Sequence, residues 1–440
     1  MKNFNINIKK IFKLINLLIF LLFITIIIEK NEIYCKKIQI EDYCLGPICE
    51  YLFWKPDQDE VNIDKIFDSK KLLYFKNSII PKIPIELFNV YPDLKQLSIS
   101  NAYVEELPDN LTSNNLEFLY LSNNKLKSIE NNVFKSLPNL KYLWLSNNQI
   151  EKINEFAFDD MDNLLFLELS NNEITELSDL LFQNIPKLTS LFLSKNKITT
   201  LQEGLFDNNT NLYQLNIDNN NILTIDENIF KEVKNLNVLD ISFNPIKTLN
   251  LISVNIEKFI SDSSSLVKLN VVGIIKQLHF IKTPIKKIKL NEPATLQTLT
   301  LNECFLKDLK MIGRFINLKV LNLSSNPSIT LDKDSFKQFK YLEGLSLQYC
   351  NLNQLETGIF DNLADLKYLD ISHNLIEEIN LNTIRPMRNL NNISISGNSW
   401  NCCSLKSLIQ YCQLRSITYK EEPRIEQPQG VHFAGINCIV

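Results

Sequence analysis

From Leu94 to Leu390 the chain restates one apolar pattern, and a recurring period narrows the choice of folds more than any other feature. Leu140-x-x-Leu143-x-Leu145-x-x-Asn148-x-Ile150 is followed 24 residues later by Leu164-x-x-Leu167-x-Leu169-x-x-Asn172-x-Ile174. Leu188, Leu191, Leu193, Asn196 and Ile198 repeat it, as do Leu212, Leu215, Ile217, Asn220 and Ile222. Units start at Leu94, Leu116, Leu140, Leu164, Leu188, Leu212, Leu236, Ile256, Ile275, Leu296, Leu318, Leu342, Leu366 and Leu390. A weaker leading unit carries Leu73, Phe75, Ser78, Ile80 and Ile83. Units of this kind stack only on their neighbours, so 440 residues form one elongated body rather than two or three globular domains.

The spacing also assigns each position. In Leu-x-Leu the apolar residues alternate, so a short strand sends them inward and the x residues outward. Successive strands pair as a parallel sheet on the concave side. The asparagine side chain bonds backbone groups of neighbouring turns, since a buried amide without partners would cost about 1–3 kcal/mol. A second apolar column, Phe134, Phe158, Phe182, Phe206 and Phe230, recurs with the same period and resumes at Phe336 and Phe360. One such ring alone could suggest a cofactor box; the period makes the column core. Between Ile256 and Leu296 the units shorten to about 20 residues, the phenylalanines lapse, and Ser264 and Thr283 take the asparagine position. A local change of curvature is expected there. It reads either as a hinge or second contact patch, or as tolerated variation.

The pattern resembles the leucine-rich-repeat consensus, whose asparagine position also accepts cysteine. That resemblance implies an α/β repeat solenoid: a leucine-rich-repeat horseshoe with a parallel concave β-sheet and cysteine-containing N- and C-terminal caps. Cys304 and Cys350 stand at the asparagine position and should be buried thiols. The other seven cysteines lie at the ends. Asn398-Ser-Trp400-Asn-Cys402-Cys403-x-Leu405, closing with Gly435-Ile-Asn-Cys438, resembles the C-terminal cap of secreted insect proteins of this kind. The segment from Phe75 through Ser78, Ile83 and Pro84 to Phe88 resembles their first repeat. The repeats are shared with Toll-like receptors and adhesion molecules, and adjacent Cys402 and Cys403 are similar to mosquito leucine-rich immune proteins. Those proteins continue into a coiled coil, whereas two residues follow Cys438 here. The resemblance implies a non-enzymatic extracellular recognition module, with innate immunity among its roles.

The organisation expected is 1–28 a signal segment, 29–70 an N-terminal cap, 71–399 about 14 to 15 repeats, and 400–440 a C-terminal cap. Lys2, Lys9, Lys10 and Lys13 precede the run Leu14 to Ile28, apolar except for Asn16 and Thr25. No small-x-small pair precedes Glu29, so an uncleaved anchor competes with a cleaved signal. Either way the lysines stay inside and the remainder faces outward. An oxidising compartment follows. Cys402 and Cys403 are expected to reach separately to Cys412 and Cys438, spacing leaving the choice open, and Cys44 to pair with Cys49. Cys35 is left for an intermolecular bridge and a disulfide-linked dimer, or for an unpaired thiol. Metal binding is the weaker reading of these cysteines, since no Cys-x-x-Cys occurs. Sequons at Asn110, Asn208, Asn322 and Asn392 are candidate glycan acceptors, the first two on connecting segments and the last two on concave strands.

Catalytic patterns are missing. Asp240 and Asp370 fall several strands apart, too far to share a mechanism, and His279 and His373 fall at outward strand positions in remote repeats. No nucleophile elbow, zinc-protease motif or phosphate loop occurs, so no enzyme and no cofactor is expected. A formal net charge of −4 and a pI near 5.7 argue against a basic nucleic-acid footprint. What remains is a protein or glycan ligand on the concave face, with a membrane contact only if the anchor is retained, and either a tethered receptor ectodomain or an inhibitor of an extracellular enzyme as alternatives. The expected site is written in rings: Phe118, Tyr120, Tyr142, Trp144, Phe166 and Phe192 all fall at outward positions of consecutive strands. The inward positions are already taken by leucines. Contiguous apolar surface of this kind marks interaction sites, although aromatics also suit strands and stack across a sheet.

Overall fold

The computed structural model describes residues 43–45, 48–52, 72–76, 78–109, 111–234, 236–420 and 430–439. Residues 1–28, Cys35 and Asn110 lie outside them, so the expected signal, the cysteine left for an intermolecular bridge or an unpaired thiol, and the first sequon do as well. The described chain forms a solenoid of about 14 turns around one parallel sheet. Strands such as Phe118–Tyr120, Tyr142–Trp144, Phe166–Glu168 and Ser190–Phe192 begin two residues after the unit starts read from the period. Each pairs in parallel with the next, leucine on leucine: Leu119 on Leu143, Leu143 on Leu167, Leu167 on Leu191. These leucines are wholly buried while their sequence neighbours are half-buried, the alternation a strand imposes. The phenylalanine column stacks behind the sheet with centroids 5.9–6.4 Å apart from Phe134 to Phe230.

The asparagines join the turns. Asn172 Nδ2 donates to the Leu169 carbonyl of its own turn at 2.9 Å and to Leu145 of the preceding turn at 3.0 Å, while its Oδ1 accepts from Ile150 N at 3.1 Å. Asn148, Asn196 and Asn220 make the same bonds in their own turns. Cys304 and Cys350 occupy two of these positions, buried, their thiols donating to Phe280 O at 3.4 Å and Leu323 O at 3.2 Å. Burial pushes those thiols up to about 12 and about 11, so both stay protonated.

The short units build differently from their neighbours. Thr248–Ile260 and Lys268–Ile281 are single long strands, paired with each other along their length. The front half of the second continues the concave sheet through Thr298–Asn302, and its rear half pairs with Lys287–Leu290 on the flank. Ladders on both sides hold adjacent turns at one spacing, about 4.8 Å. A bulge between Ile252 and Val254 marks the corner. Gly273 turns it at φ 150°, where a Cβ would stand 1.8 Å from the Val254 carbonyl. Phe259 and Phe280, 6.0 Å apart, fill the core in place of the rear column.

At the C-terminal end the helix Cys402–Leu414 closes the core. Asn401 caps it, accepting from Cys403 N at 2.9 Å and Ser404 N at 3.3 Å. Leu405, Leu408, Ile409 and Cys412 face inward beside the fully buried Trp400, whose indole donates to Ile395 O at 2.7 Å. One bridge, Cys402–Cys438, ties this helix to the last strand, Ile436–Ile439. This corrects the expectation of two. With nine residues and a rise of 1.5 Å each between them, Cys403 and Cys412 stand about 13 Å apart on opposite faces of the helix, beyond the span of a disulfide. Cys403 is exposed and Cys412 buried, its thiol pushed up to about 11 by that burial. At the other end Ile48–Leu52 extends the sheet beyond Leu72–Lys76, and a hairpin with Tyr43–Leu45 places Cys44 opposite Cys49 in the backbone register.

Two outcomes test this construction. Asn172→Ala strands two carbonyls and one N–H and should cost about 2–3 kcal/mol in urea unfolding, whereas Asn172→Cys, which keeps a donor, should cost less. Equal stability of the two would mean that water replaces the amide. Alkylation of the native protein followed by peptide mapping should modify Cys403, reach Cys304, Cys350 and Cys412 only after unfolding, and yield a Cys402–Cys438 peptide. A Cys403–Cys412 peptide would contradict the cap helix.

Candidate functional site

Because leucines fill the inward positions, the outward columns of the sheet are free to carry other chemistry. All six sequence-predicted rings lie there, half-buried, and the sheet brings them together. Phe118 stacks on Tyr142 at 4.6 Å between centroids, with planes 1° apart, and Tyr120 on Trp144 at 4.0 Å. Phe166 joins both columns, 4.9 Å from Trp144 and 6.3 Å from Tyr142, and passes the contact on to Phe192 at 5.2 Å. A further ring, Tyr74, stands two strands before Tyr120 with Ser98 between them, and its hydroxyl accepts from Gln96 Nε2 at 2.5 Å. Burial, and then the nearby Tyr74, push the Tyr120 phenol up. Along one border Glu117 binds Lys95 at 2.7 Å and Lys141 at 2.8 Å, and these two ammonium groups, Lys141 foremost, hold its carboxyl below the usual range. Along the other, the hydroxyls of Ser122 and Ser146 meet at 3.0 Å.

Glu168 stands inside the stripe, in register with Trp144 on one side and Phe192 on the other. The sequence reading passed over it because a single acidic residue at an outward strand position has no distinguishing pattern. Burial pushes its carboxyl up, opposed by a hydrogen bond from Ser170 N at 2.8 Å. Beyond Phe192 the surface turns polar and acidic. Gln214 donates to Asn216 at 3.2 Å, and Asp218, Asp240 and Asp262 follow. Burial pushes the Asp240 carboxyl up, with the Asp218 and Asp262 charges adding to it and the Ser242 N–H opposing. Asp262 accepts from His279 Nδ1 at 3.2 Å and from Ile281 N at 2.8 Å, a pairing the spacing of the histidines alone did not show. His373 lies past its strand, on a turn at φ 53°, stacked 4.5 Å from Tyr349, which corrects its expected strand position.

Toward the C-terminus the outward columns hold Thr298, Thr300, Gly344 and Ser346, with Val320 and Tyr368 as the large exceptions. Asn322 and Asn392 project from strands there, both half-buried. Asn208 is exposed on a connecting segment, its amide donating to Gln183 O at 3.0 Å.

A family model described as leucine rich repeat matches residues 114–174, 167–212, 210–255 and 340–399. The chain has the leucine-rich-repeat solenoid fold. The interval 256–339 between the matched stretches contains most of the units with two-sided ladders, where the repeat physics itself changes. Solved leucine-rich-repeat structures share the fold. TLR13 in its complex with ssRNA13 has a TM-score of 0.65 at 24% identity over 79% of this chain. The LRIM1/APL1C complex gives 0.56 at 20% over 89% of this chain and 69% of that one. The functional domain of InlJ from Listeria monocytogenes gives 0.52 at 23%, covering 77% of this chain and 71% of that one. This chain spans only 53% of the TLR13 chain. No curated protein matches it in sequence.

The raised Glu168 carboxyl has a thermodynamic sign. A folded-state value above the unfolded one contributes stability below the ordinary glutamate value, 4.5, that is lost as pH rises through the folded value. Glu168→Gln should therefore melt no lower than wild type at pH 7, with its advantage shrinking as pH falls through the carboxylate range. A variant that melts lower at pH 7 would show that the ionised carboxylate is a net stabiliser of the sheet.

Proposed function

We propose that this leucine-rich-repeat protein is a non-enzymatic extracellular recognition module that holds a protein ligand on the N-terminal half of its concave sheet. The observation carrying this reading is the continuous run of ring contacts from Phe118 to Phe192 on a face the core does not use. Aromatic side chains offer large contact area at low entropic cost and dominate protein interfaces. Here they are already ordered by stacking on one another, which lowers the cost of binding. The sequons at Asn322 and Asn392 fit the same division of the face: glycans there would stand over the C-terminal half and leave the stripe clear. The lysine-led apolar segment before Glu29 supports export. The LRIM1/APL1C complex, an assembly of leucine-rich-repeat chains, supports an extracellular and immune setting.

The test compares proteins captured from extracellular fluid by immobilised wild type, Phe192→Ser and Tyr142→Ser with Trp144→Ser. Phe192 stacks on Phe166 alone among the stripe rings, so its loss should leave the melting temperature within a few degrees. The double variant gives up several stacked pairs worth about 0.5–1.5 kcal/mol each and should be less stable but folded. Loss of the same captured protein in both variants is expected. Retention in both, with only stability lowered, would mean that the rings serve the sheet alone.

A further inference from the structure

Glu168 is a carboxylate set among rings. Across the ladder its neighbours are Trp144 and Phe192, and Phe166, two residues earlier on the same strand, leans on both at 4.9 and 5.2 Å. Ring faces carry negative potential and attract cations, so the faces and the carboxylate act with one sign. Beyond Phe192 the sheet keeps that sign through Asp218, Asp240 and Asp262, with Asp240 feeling the charges of the other two. The cationic or protonatable side chains on the strands from Ser190–Phe192 to Lys268–Ile281 are Lys258, Lys268, Lys276 and His279. Lys276 is paired with Glu257 at 2.7 Å, His279 is held by Asp262, and Lys268 lies on the rear half of its strand, paired with Lys287 in the flank ladder.

We propose that the concave face takes a basic segment of a protein partner, with a lysine or arginine side chain seated against Glu168 between Trp144, Phe166 and Phe192. Further basic residues of the segment reach the aspartates beyond. This rests on the reading of the aromatic stripe as a ligand surface and adds the sign of the partner's charge. The strand of Trp144 and the strand preceding Asp262 are five spacings apart, about 24 Å, which an extended segment of about seven residues covers. An RNA strand on the same face would set phosphates against carboxylates and gain none of the counterion release that drives its binding.

The probe is a labelled peptide of about ten residues alternating arginine with leucine, followed by fluorescence anisotropy. Its controls are the same peptide with glutamate for arginine and a single-stranded oligouridine of similar span. The arginine peptide should bind wild type saturably and weaken with salt, and the controls should not bind. Glu168→Gln, which keeps the side-chain shape, should weaken the arginine peptide about tenfold with no loss of melting temperature, and Phe192→Ser should weaken it too. Absence of saturable binding overturns the proposal, as does equal binding by either control or by Glu168→Gln. Weakening in Phe192→Ser with none in Glu168→Gln leaves the stripe as a ligand surface and removes the cation. The reverse keeps a charged site and removes the rings from it.

Discussion

A buried amide shared between successive turns is what lets this chain be long without being globular. Each asparagine satisfies a carbonyl of its own turn and one of the turn before, and its oxygen takes a backbone N–H of that preceding turn. One side chain thus settles the polar groups that a tight corner leaves without a sheet partner. The position tolerates replacement in proportion to what remains to be bonded. Where Cys304 and Cys350 offer only a thiol donor, Asn326 and Asn374 of the following turns each accept two N–H groups rather than one. Where Ser264 and Thr283 stand, shorter hydroxyls reach the Ser261 carbonyl, and the left-handed turn residue that precedes each rung is kept at Ser263 and Lys282.

That division of labour frees the outward columns. The leucines and the phenylalanine column supply the burial, the asparagines the polar closure, and neither depends on what the concave face carries. Aromatic rings at Phe118 to Phe192, aspartates from Asp218 to Asp262 and small hydroxyls further on are all compatible with one backbone. Surface chemistry can therefore change from repeat to repeat while the scaffold stays constant, a consequence of nearest-neighbour stacking.

The same separation explains what the sequence made legible. Strand positions, buried leucines, the asparagine rungs and the outward rings all follow from a period, because each recurs with a fixed offset and the offset has one geometric meaning. Features that occur once were harder to read. The cap helix has no repeat to announce it, and cysteine spacing alone left open a second bridge that helical geometry forbids. The two-sided ladders between Thr248 and Leu290 appeared only as lost periodicity, since β-branched runs there alternate like any strand. Tyr74 and Glu168 were missed for a different reason: their significance comes from side chains on other turns, distant in sequence and brought close only by the stacked strands.

Glu168 also shows where stability and recognition diverge within such a body. A carboxylate held among rings loses hydration, and one N–H from Ser170 does not restore it, so the ionised form is disfavoured where it stands. In a small globular domain a cost of this kind would fall on a single cooperative core. Here it falls on one turn, flanked by turns with complete asparagine rungs at Asn148, Asn172 and Asn196, and the strand around it stays anchored by the buried Leu167 and Leu169. A cation docked at that carboxylate would supply what the fold withholds, so the interaction that is locally unfavourable in the free protein becomes a source of affinity in the complex.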